Sequence, residues 1–158
     1  MRKRIRYNMK SRILFLLLFT IFYPCTYSQT NVWEDSAARY LNEVRTNLPM
    51  SDSLQLAHAD KAEQYARRSN NDSLLTTAWY YKGIVYYYAG FHEVSNEYYF
   101  KALQRPEAVT NPTMQYGILN NIGINYDLLG KPVLSLEFYH KALKMGEAQE
   151  NYKGMGQV

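Results

Sequence analysis

The chain is nearly devoid of cysteine, because the single one among its 158 residues is Cys25. A disulfide framework is therefore excluded, and the fold must be held together by packing alone. Proline is also scarce, with five in the whole chain, and no stretch rich in proline, serine or glycine divides residues 29–158. These roughly 130 residues suffice for one small domain.

The segment 1–28 contains no acidic residue, although it holds six of the 18 basic residues. Its basic start precedes an apolar run, 13–23, which ends before Pro24. The length of this run lies within the ~7–15 residues of a signal-peptide core, whereas a membrane-spanning helix needs ~20. Residues 1–28 are therefore predicted to be a signal peptide cleaved before Gln29, so that the protein is exported to the periplasm or cell envelope. The alternatives are an uncleaved membrane anchor and a lipoprotein acylated at Cys25.

Positive charge is lacking beyond this leader, where 12 basic residues face 14 acidic ones. No basic surface remains that would favour nucleic acid. The chain also has no phosphate-binding loop and no nucleophile elbow, and His58, His92 and His140 have no metal-ligand spacing. We therefore expect this segment not to be an enzyme and to bind no cofactor or metal.

What the sequence does contain is a block that recurs after 40 positions. Each copy holds an internal glycine, a tyrosine, a second glycine, another tyrosine and an alanine, and these matches in register indicate a repeat. The spacings of 4, 3 and 4 from Trp79 to Gly90 follow one face of a helix rather than the alternation of a strand. The repeat positions are Trp79, Gly83, Tyr86, Gly90, Tyr99 and Ala102 in the first copy and Gly123, Tyr126, Gly130, Tyr139 and Ala142 in the second.

The chain after the leader is therefore predicted to be all-α, with helices in antiparallel pairs. A glycine inside a helix costs ~1 kcal/mol relative to alanine, so Gly83 and Gly123 are expected to let the second helix of each pair approach closely. Gly90 and Gly130 are expected to end the first helices, because glycine tolerates a left-handed turn. The predicted helices cover residues 33–48 and 53–69, 73–89 and 92–104, and 113–129 and 132–145, with a seventh starting near 149.

These residues and their order resemble the tetratricopeptide repeat. The resemblance covers residues 73–158, whose 40-residue period exceeds the ~34 common in the family and whose last repeat is truncated. Residues 29–72 fit only as a degenerate first helix pair. The resemblance implies a right-handed α-solenoid of antiparallel helix pairs, with about three repeats and the start of a fourth. Solenoids of this kind serve as binding surfaces.

In this family the first helix of each pair faces a concave groove, so the resemblance implies a protein or peptide as the partner. Tyrosine in such a groove supplies contact area, and asparagine can both donate to and accept from a peptide backbone. Packing between helices and helix capping are the alternative roles for the same residues. The candidate ligand-binding residues are Tyr80, Ile84, Tyr87, Tyr88, Asn120, Asn121, Ile124 and Asp127.

Residues 156–158 resemble the start of another repeat, so we expect the chain to be the sensory N-terminal part of a longer exported protein. It looks similar to the exported tetratricopeptide regions of bacterial sensor kinases and transcription regulators. The expected function is protein or peptide binding. The alternatives are that the complete protein is a sensor histidine kinase or a membrane-tethered transcription factor, or that it is a structural scaffold of the cell envelope. A membrane would be reached only through the leader or a downstream span.

Overall fold

The computed structural model describes residues 29–48 and 53–155, without the side chains of 107, 109 and 148–155. Within these residues every regular element is a helix and no strand occurs. The predicted all-α class is therefore confirmed. The predicted signal peptide, residues 1–28, lies outside the described part of the chain, as do residues 156–158.

The helices follow one another with short connections. They are α1 (29–46), α2 (Ser53–Ser69), α3 (Asp72–Tyr88), α4 (His92–Leu103), α5 (Pro106–Thr110), α6 (Pro112–Leu128) and α7 (Pro132–Met155). Four of them, α2, α3, α4 and α6, match the predicted helices to within one residue at each end. Helix α1 begins four residues before its predicted start.

Helices α5 and α7 differ from the prediction more strongly. The sequence does not predict α5, in which Pro106 follows the extended Arg105 (φ −94°, ψ 140°) and suits the first turn of a helix because its φ is fixed. The predicted helix end at Met145 and the separate helix predicted to start near 149 are both wrong, because α7 continues without interruption to Met155. Residues 147–150, which follow Gly146, are good helix formers, and no described residue of that segment adopts a left-handed turn.

Helices α3 and α6 begin with the same capping contact. Oδ1 of Asn71 accepts a hydrogen bond from the backbone N–H of Leu74 (3.1 Å), and Oδ1 of Asn111 accepts one from the N–H of Met114 (3.0 Å). Each bond satisfies one of the N–H groups that a helix start leaves without a partner inside the helix. Asn71 and Asn111 are separated by one period of the repeat, so the cap is a further member of it.

Helices α3 and α6 also end in the same way. Gly90 (φ 82°) and Gly130 (φ 68°) adopt the left-handed conformation that glycine tolerates without steric cost. After α3, the N–H of Phe91 donates to the carbonyl of Tyr86 (2.9 Å) and the N–H of Gly90 to that of Tyr87 (3.0 Å). This pair of bonds forms a Schellman motif, and the same two bonds recur at the equivalent positions after α6. The predicted turns at both glycines are therefore confirmed.

The internal glycines leave room for a tyrosine ring from the following helix. A Cβ on Gly83 would lie 2.5 Å from Cε1 of Tyr99, and a Cβ on Gly123 would lie 2.7 Å from Cδ1 of Tyr139. Any larger side chain would therefore collide with a ring that packs directly on the helix. The expected close approach of the second helix to the first is present. The space at each glycine is taken up by the tyrosine ring and not by the alanine that follows the tyrosine in the repeat.

The core runs through the helices in chain order. Helix α3 packs against α2 and α4, α6 packs against α4 and α7, and α5 lies against α3, α4 and α6. The largest buried cluster joins Tyr99 of α4 to Ile122 of α6. A second cluster joins Leu41 of α1 to Ala62 of α2 and Ala78 of α3. Consecutive helices therefore supply each other's apolar partners, and we refer to α1/α2, α3/α4 and α6/α7 as helix pairs.

Candidate functional site

A shallow cavity lies between α1 and α3, the first helices of two successive pairs. Its volume is ≈ 270 Å³. Two leucines supply apolar walls, and an arginine, an asparagine, a threonine and a tyrosine supply polar groups, which is the usual composition of a binding pocket. The lining residues are Ala38, Leu41, Asn42 and Arg45 from α1 and Leu74, Thr77 and Tyr81 from α3.

The polar groups of the cavity differ in how far they are already engaged. Arg45 donates from Nη2 to Oδ1 of Asn42 (3.0 Å), and Thr77 donates from Oγ1 to the carbonyl of Ser73 (2.8 Å). Arg45 forms no ion pair within the described residues, so the rest of its guanidinium can donate to a ligand. Tyr81 is half-buried. The cavity can thus hold an apolar side chain while Arg45 meets a carbonyl or carboxylate oxygen.

Tyr80 and Ile84 lie at the junction between α3 and the helices that follow. The hydroxyl of Tyr80 is 3.2 Å from the position that a Cβ on Gly117 of α6 would occupy, and its ring centroid is 6.2 Å from that of Tyr99. Both residues are half-buried and pack against the largest core cluster. Burial, together with the neighbouring Tyr81, raises the pKa of Tyr80 above its ordinary value. These two candidate residues therefore fill space between helix pairs.

Tyr87 and Tyr88 lie at the C-terminal end of α3. Their ring centroids are 5.1 Å apart, and the ring of Tyr87 is 5.8 Å from that of His92 in α4. Tyr88 is 45% exposed, whereas Tyr87 is half-buried. Among the candidate tyrosines, Tyr88 therefore presents the most surface to a partner.

Asn121 is engaged with the preceding helix pair. Its Nδ2 donates to the hydroxyl of Tyr99 at 3.1 Å. Tyr99 is fully buried, and this burial raises the pKa of its hydroxyl. The bond from Asn121 therefore satisfies the polar atom of a buried ring. Oδ1 is the atom of Asn121 left for the predicted bond to a peptide backbone.

The remaining candidate residues lie on α6. Asn120 and Ile124 are half-buried and Asp127 is exposed. By the 40-residue correspondence, they occupy on α6 the face that includes Tyr80 and Ile84 on α3. The eight candidates thus all lie on α3 or α6, and none of them lines the cavity between α1 and α3.

A buried amide network, which sequence reasoning missed, joins α4 to α6. Asn125 is fully buried, and its Nδ2 donates to Oγ of Ser95 (2.9 Å) and to Oδ1 of Asn96 (2.8 Å). Its Oδ1 lies 3.2 Å from Nδ1 of His92, which is the donor because a side-chain carbonyl only accepts. Ser95 in turn donates to the carbonyl of Gly83 (2.7 Å). Because both polar atoms of the Asn125 amide have hydrogen-bond partners, the amide can be buried in the core.

A cluster of charged side chains joins α2 to α3. Nζ of Lys82 lies 2.6 Å from Oε2 of Glu63 and 2.7 Å from Oδ1 of Asp60. Oε1 of Glu63 also accepts hydrogen bonds from Nε1 of Trp79 (2.9 Å) and Nη2 of Arg67 (2.7 Å). The Lys82 side chain is 7% exposed, so its ammonium depends on these carboxylates rather than on water.

The cluster shifts the ionisation of its two central groups. Burial disfavours the charged form of Glu63, but hydrogen bonds from Lys82 and two further donors outweigh it and lower the pKa of Glu63 to about 2. Burial likewise disfavours the charged form of Lys82, yet hydrogen bonds to Asp60 and Glu63 raise its pKa above the ordinary value. Both groups therefore stay ionised at neutral pH. Since each is paired, the cluster supports the packing of α3 on α2.

Metal-binding clusters are absent from the described residues, where no group of three or more His, Cys, Asp or Glu side chains could hold an ion. His58 packs with its ring 5.6 Å from that of Tyr40, and His140 is exposed. In the part of the chain that the structure describes, no helix is long and apolar enough to cross a membrane.

The chain matches no known protein family, no curated protein and no solved structure.

Proposed function

We propose that the chain is a protein- or peptide-binding module of the tetratricopeptide type, carried by an exported protein. Its helix pairs stack antiparallel into a right-handed α-solenoid. The proposal is supported by contacts that recur at equivalent positions of the two repeat copies, namely the asparagine cap, the glycine turn and the tyrosine ring packed on an internal glycine. Contacts that recur at a fixed interval are typical of units that stack on one another.

The binding site that we assign is the cavity between α1 and α3. In a stack of helix pairs, the first helices of neighbouring pairs line one surface, and this cavity lies between two of them. The observation that carries the assignment is the position of Arg45. Apart from its bond to Asn42, its guanidinium has no partner among the described residues, and it lies beside apolar walls. An extended peptide fits this chemistry, since it offers a carbonyl or carboxylate oxygen at one residue and an apolar side chain at another.

A peptide-display selection against the purified protein tests the assignment, because it works without an identified partner. Selected peptides are then measured against Arg45→Ala, which removes the cation, and Thr77→Arg, which fills the cavity. Both changes should weaken binding about tenfold or more, with the helical circular-dichroism spectrum unchanged. Arg39→Ala is the matched control, because Arg39 is an exposed cation on α1 outside the cavity.

Tyr87→Ala and Asn121→Ala show whether a ligand also contacts the residues that the sequence pattern singles out. Binding that is weakened by these two changes and not by Arg45→Ala would move the site to the surface of α3 and α6. A selection without binders, or binders that respond equally to Arg39→Ala and Arg45→Ala, would contradict the assignment to the cavity.

Export is the second part of the proposal, and it is supported by the basic leader with its apolar run at 13–23. The test is expression of the full chain with a C-terminal tag in a Gram-negative cell, followed by fractionation and N-terminal sequencing. We expect periplasmic protein that begins at Gln29. An intact N-terminus in the cytoplasmic fraction would contradict export.

A further inference from the structure

Helices α1 and α3, which line the proposed binding cavity, run in the same direction. One buried cluster joins Leu41 of α1 to Ala78 of α3, and a second cluster joins Val44 to Val85. Residue numbers thus rise together along the two helices. Positions along the two walls of the cavity can therefore be compared by residue number.

The cavity is apolar at one end and polar at the other. The apolar lining residues, Ala38, Leu41 and Leu74, precede every polar lining residue of their own helix. Arg45 and Tyr81 are the last lining residues of α1 and α3. Leu41 and Arg45 are one helical turn apart, which corresponds to about 6 Å along the axis. A ligand in the cavity therefore meets apolar walls at one end and polar groups about one turn further along.

The polar groups that are still available are hydrogen-bond donors. Oδ1 of Asn42 already accepts from Arg45, which leaves Nδ2 of Asn42 and the other N–H groups of the guanidinium. Thr77 donates its proton to the carbonyl of Ser73. The hydroxyl of Tyr81 forms no hydrogen bond to another described residue. Three lining side chains can therefore donate to a ligand.

A carboxylate is the peptide group that matches this lining. Among the described residues that line the cavity, Arg45 is the only charged one, so the lining carries one positive charge. A carboxylate is negative and only accepts hydrogen bonds, whereas an amine would add a second cation. Hydrogen bonds to an ionised acceptor are about twice as strong as those between neutral groups. A carboxylate therefore gains more from these donors than a backbone carbonyl does.

The distance between the two ends of the cavity sets the spacing within the ligand. In an extended peptide, alternate side chains point to the same side and lie about 7 Å apart. This spacing matches the helical turn from Leu41 to Arg45. A terminal carboxylate continues the line of the backbone instead, so the matching carboxylate belongs to a side chain.

We propose that the cavity recognises an aspartate or glutamate side chain that lies two residues from an apolar one in an extended peptide. Arg45, Asn42 and Tyr81 bind the carboxylate, and the apolar side chain packs against Leu41 and Leu74. The inference rests on the proposed function, because it specifies the ligand of that same cavity.

Selection from two libraries of random peptides on the purified protein tests the inference. In one library both ends of the peptide are joined to fixed flanks, and in the other the C-terminus is free. We expect binders from both libraries, with an acidic residue two positions from a leucine, isoleucine, valine, methionine or phenylalanine. Binders that need a free C-terminus and no acidic side chain would overturn the inference.

Replacing the carboxylate of a selected peptide by the matching amide measures its contribution. Asparagine for aspartate, or glutamine for glutamate, should weaken binding to the wild-type protein about tenfold. With Arg45→Ala the same peptide change should cost less than about threefold, because the cation that meets the carboxylate is gone. Tyr81→Phe keeps the ring and removes the hydroxyl, so it should weaken the acidic peptide and not its amide form.

Charge reversal tests the same contact from the protein side. Arg45→Glu should weaken the acidic peptide and favour a peptide with lysine in place of the acidic residue. Arg39→Glu is the matched control, because Arg39 is an exposed cation of α1 outside the cavity. It should leave the preference for the acidic peptide unchanged, and a reversed preference in this control would overturn the inference.

The remaining outcomes separate this inference from the proposed function. Binding that depends on Arg45 and is unchanged by the amide would overturn the carboxylate, while the proposed function would stand with a carbonyl at Arg45. An amide effect that is equally large in Arg45→Ala would also overturn the inference, because the carboxylate would then be bound elsewhere. Two libraries without binders would overturn the proposed function together with the inference.

Discussion

The two copies of the 40-residue repeat share the contacts within a helix pair and differ in the contacts between pairs. In both copies a tyrosine ring from the second helix packs on a glycine of the first. At the junctions, corresponding positions exchange character: Lys82 in the first copy is Ile122 in the second, and Val85 is Asn125. The α2–α3 junction therefore holds an ion cluster, whereas the α4–α6 junction holds a neutral amide network.

This difference shows which contacts of the repeat are strict. The interior of a pair is governed by steric fit, because only glycine leaves space for the ring that packs on it. A junction between pairs accepts different residues as long as each buried polar atom finds a partner. Position 83 is therefore restricted to glycine, while positions 82 and 85 can vary in a correlated way.

Alanine in place of the internal glycines should disrupt the glycine–tyrosine contact that both copies share, most strongly in the first copy. Gly83→Ala places a Cβ 2.5 Å from the ring of Tyr99, which is fully buried and has no space to move. We expect the free energy of unfolding, measured by urea titration, to fall by about 3 kcal/mol. Gly123→Ala should cost about half as much, because Tyr139 is only half-buried and its ring can shift.

Gly146→Ala is the matched control for this pair. A Cβ at Gly146 would lie 3.6 Å from Tyr116, which is an ordinary contact. The change should therefore stabilise the protein by about 1 kcal/mol through helix propensity. Equal losses at Gly83 and Gly146 would show that the tyrosine ring is not the cause.

Lys82→Ile transfers the residue of the second copy to the first junction. It leaves Glu63 and Asp60 without their shared cation, and we expect a loss of about 2 kcal/mol. Glu63 keeps the hydrogen bonds from Trp79 and Arg67, which limits the cost. Adding Glu63→Leu should recover part of the loss, since apolar packing can replace a buried ion pair, while Nε1 of Trp79 loses its acceptor. Urea titration of both single variants and the double variant measures this coupling, and strictly additive losses would contradict it.

Asn125→Val makes the converse transfer, from the first copy to the second junction. It removes the partner of Asn96 and His92 and one of the two partners of Ser95. We expect the free energy of unfolding to fall by about 1–2 kcal/mol, the cost of leaving buried polar groups without bonds. Thermal or urea unfolding measures the loss, and an unchanged stability would mean that the network contributes nothing net.

Acid should weaken the ion cluster at the α2–α3 junction rather than the amide network at the α4–α6 junction. The pKa of Glu63 is about 2 in the fold against 4.5 for an unperturbed carboxyl group, so the unfolded chain binds more protons between these values. Its contribution to stability is therefore complete above pH 4.5 and is lost as the pH falls towards 2. Glu63→Gln should flatten this part of the profile of unfolding free energy against pH, whereas Asn125→Val should leave its shape unchanged. An unaltered slope in Glu63→Gln would assign the dependence to other carboxylates.

The sequence predicts the helices α2, α3, α4 and α6 to within one residue because their start and stop signals are local. An asparagine cap reaches three residues along the chain, and the bonds of a Schellman turn reach five at most. The continuation of α7 beyond Met145 could not be predicted, because Gly146 stands where a glycine typically ends a helix, yet it does not adopt the left-handed turn seen at Gly90 and Gly130. The cavity between α1 and α3 gave no signal either, since residues 29–72 follow the repeat pattern too weakly to align Arg45 with a groove position.

The all-α class, the 40-residue period and the turns at Gly90 and Gly130 were determined by the sequence alone, since they depend on contacts between near neighbours in the chain. Only the tertiary structure decided which partner each polar side chain meets. The hydrogen bond from Asn121 to Tyr99 spans 22 residues, and that from Lys82 to Glu63 spans 19. Such pairings depend on how one helix is placed against another, and periodicity within a single helix carries no record of that placement.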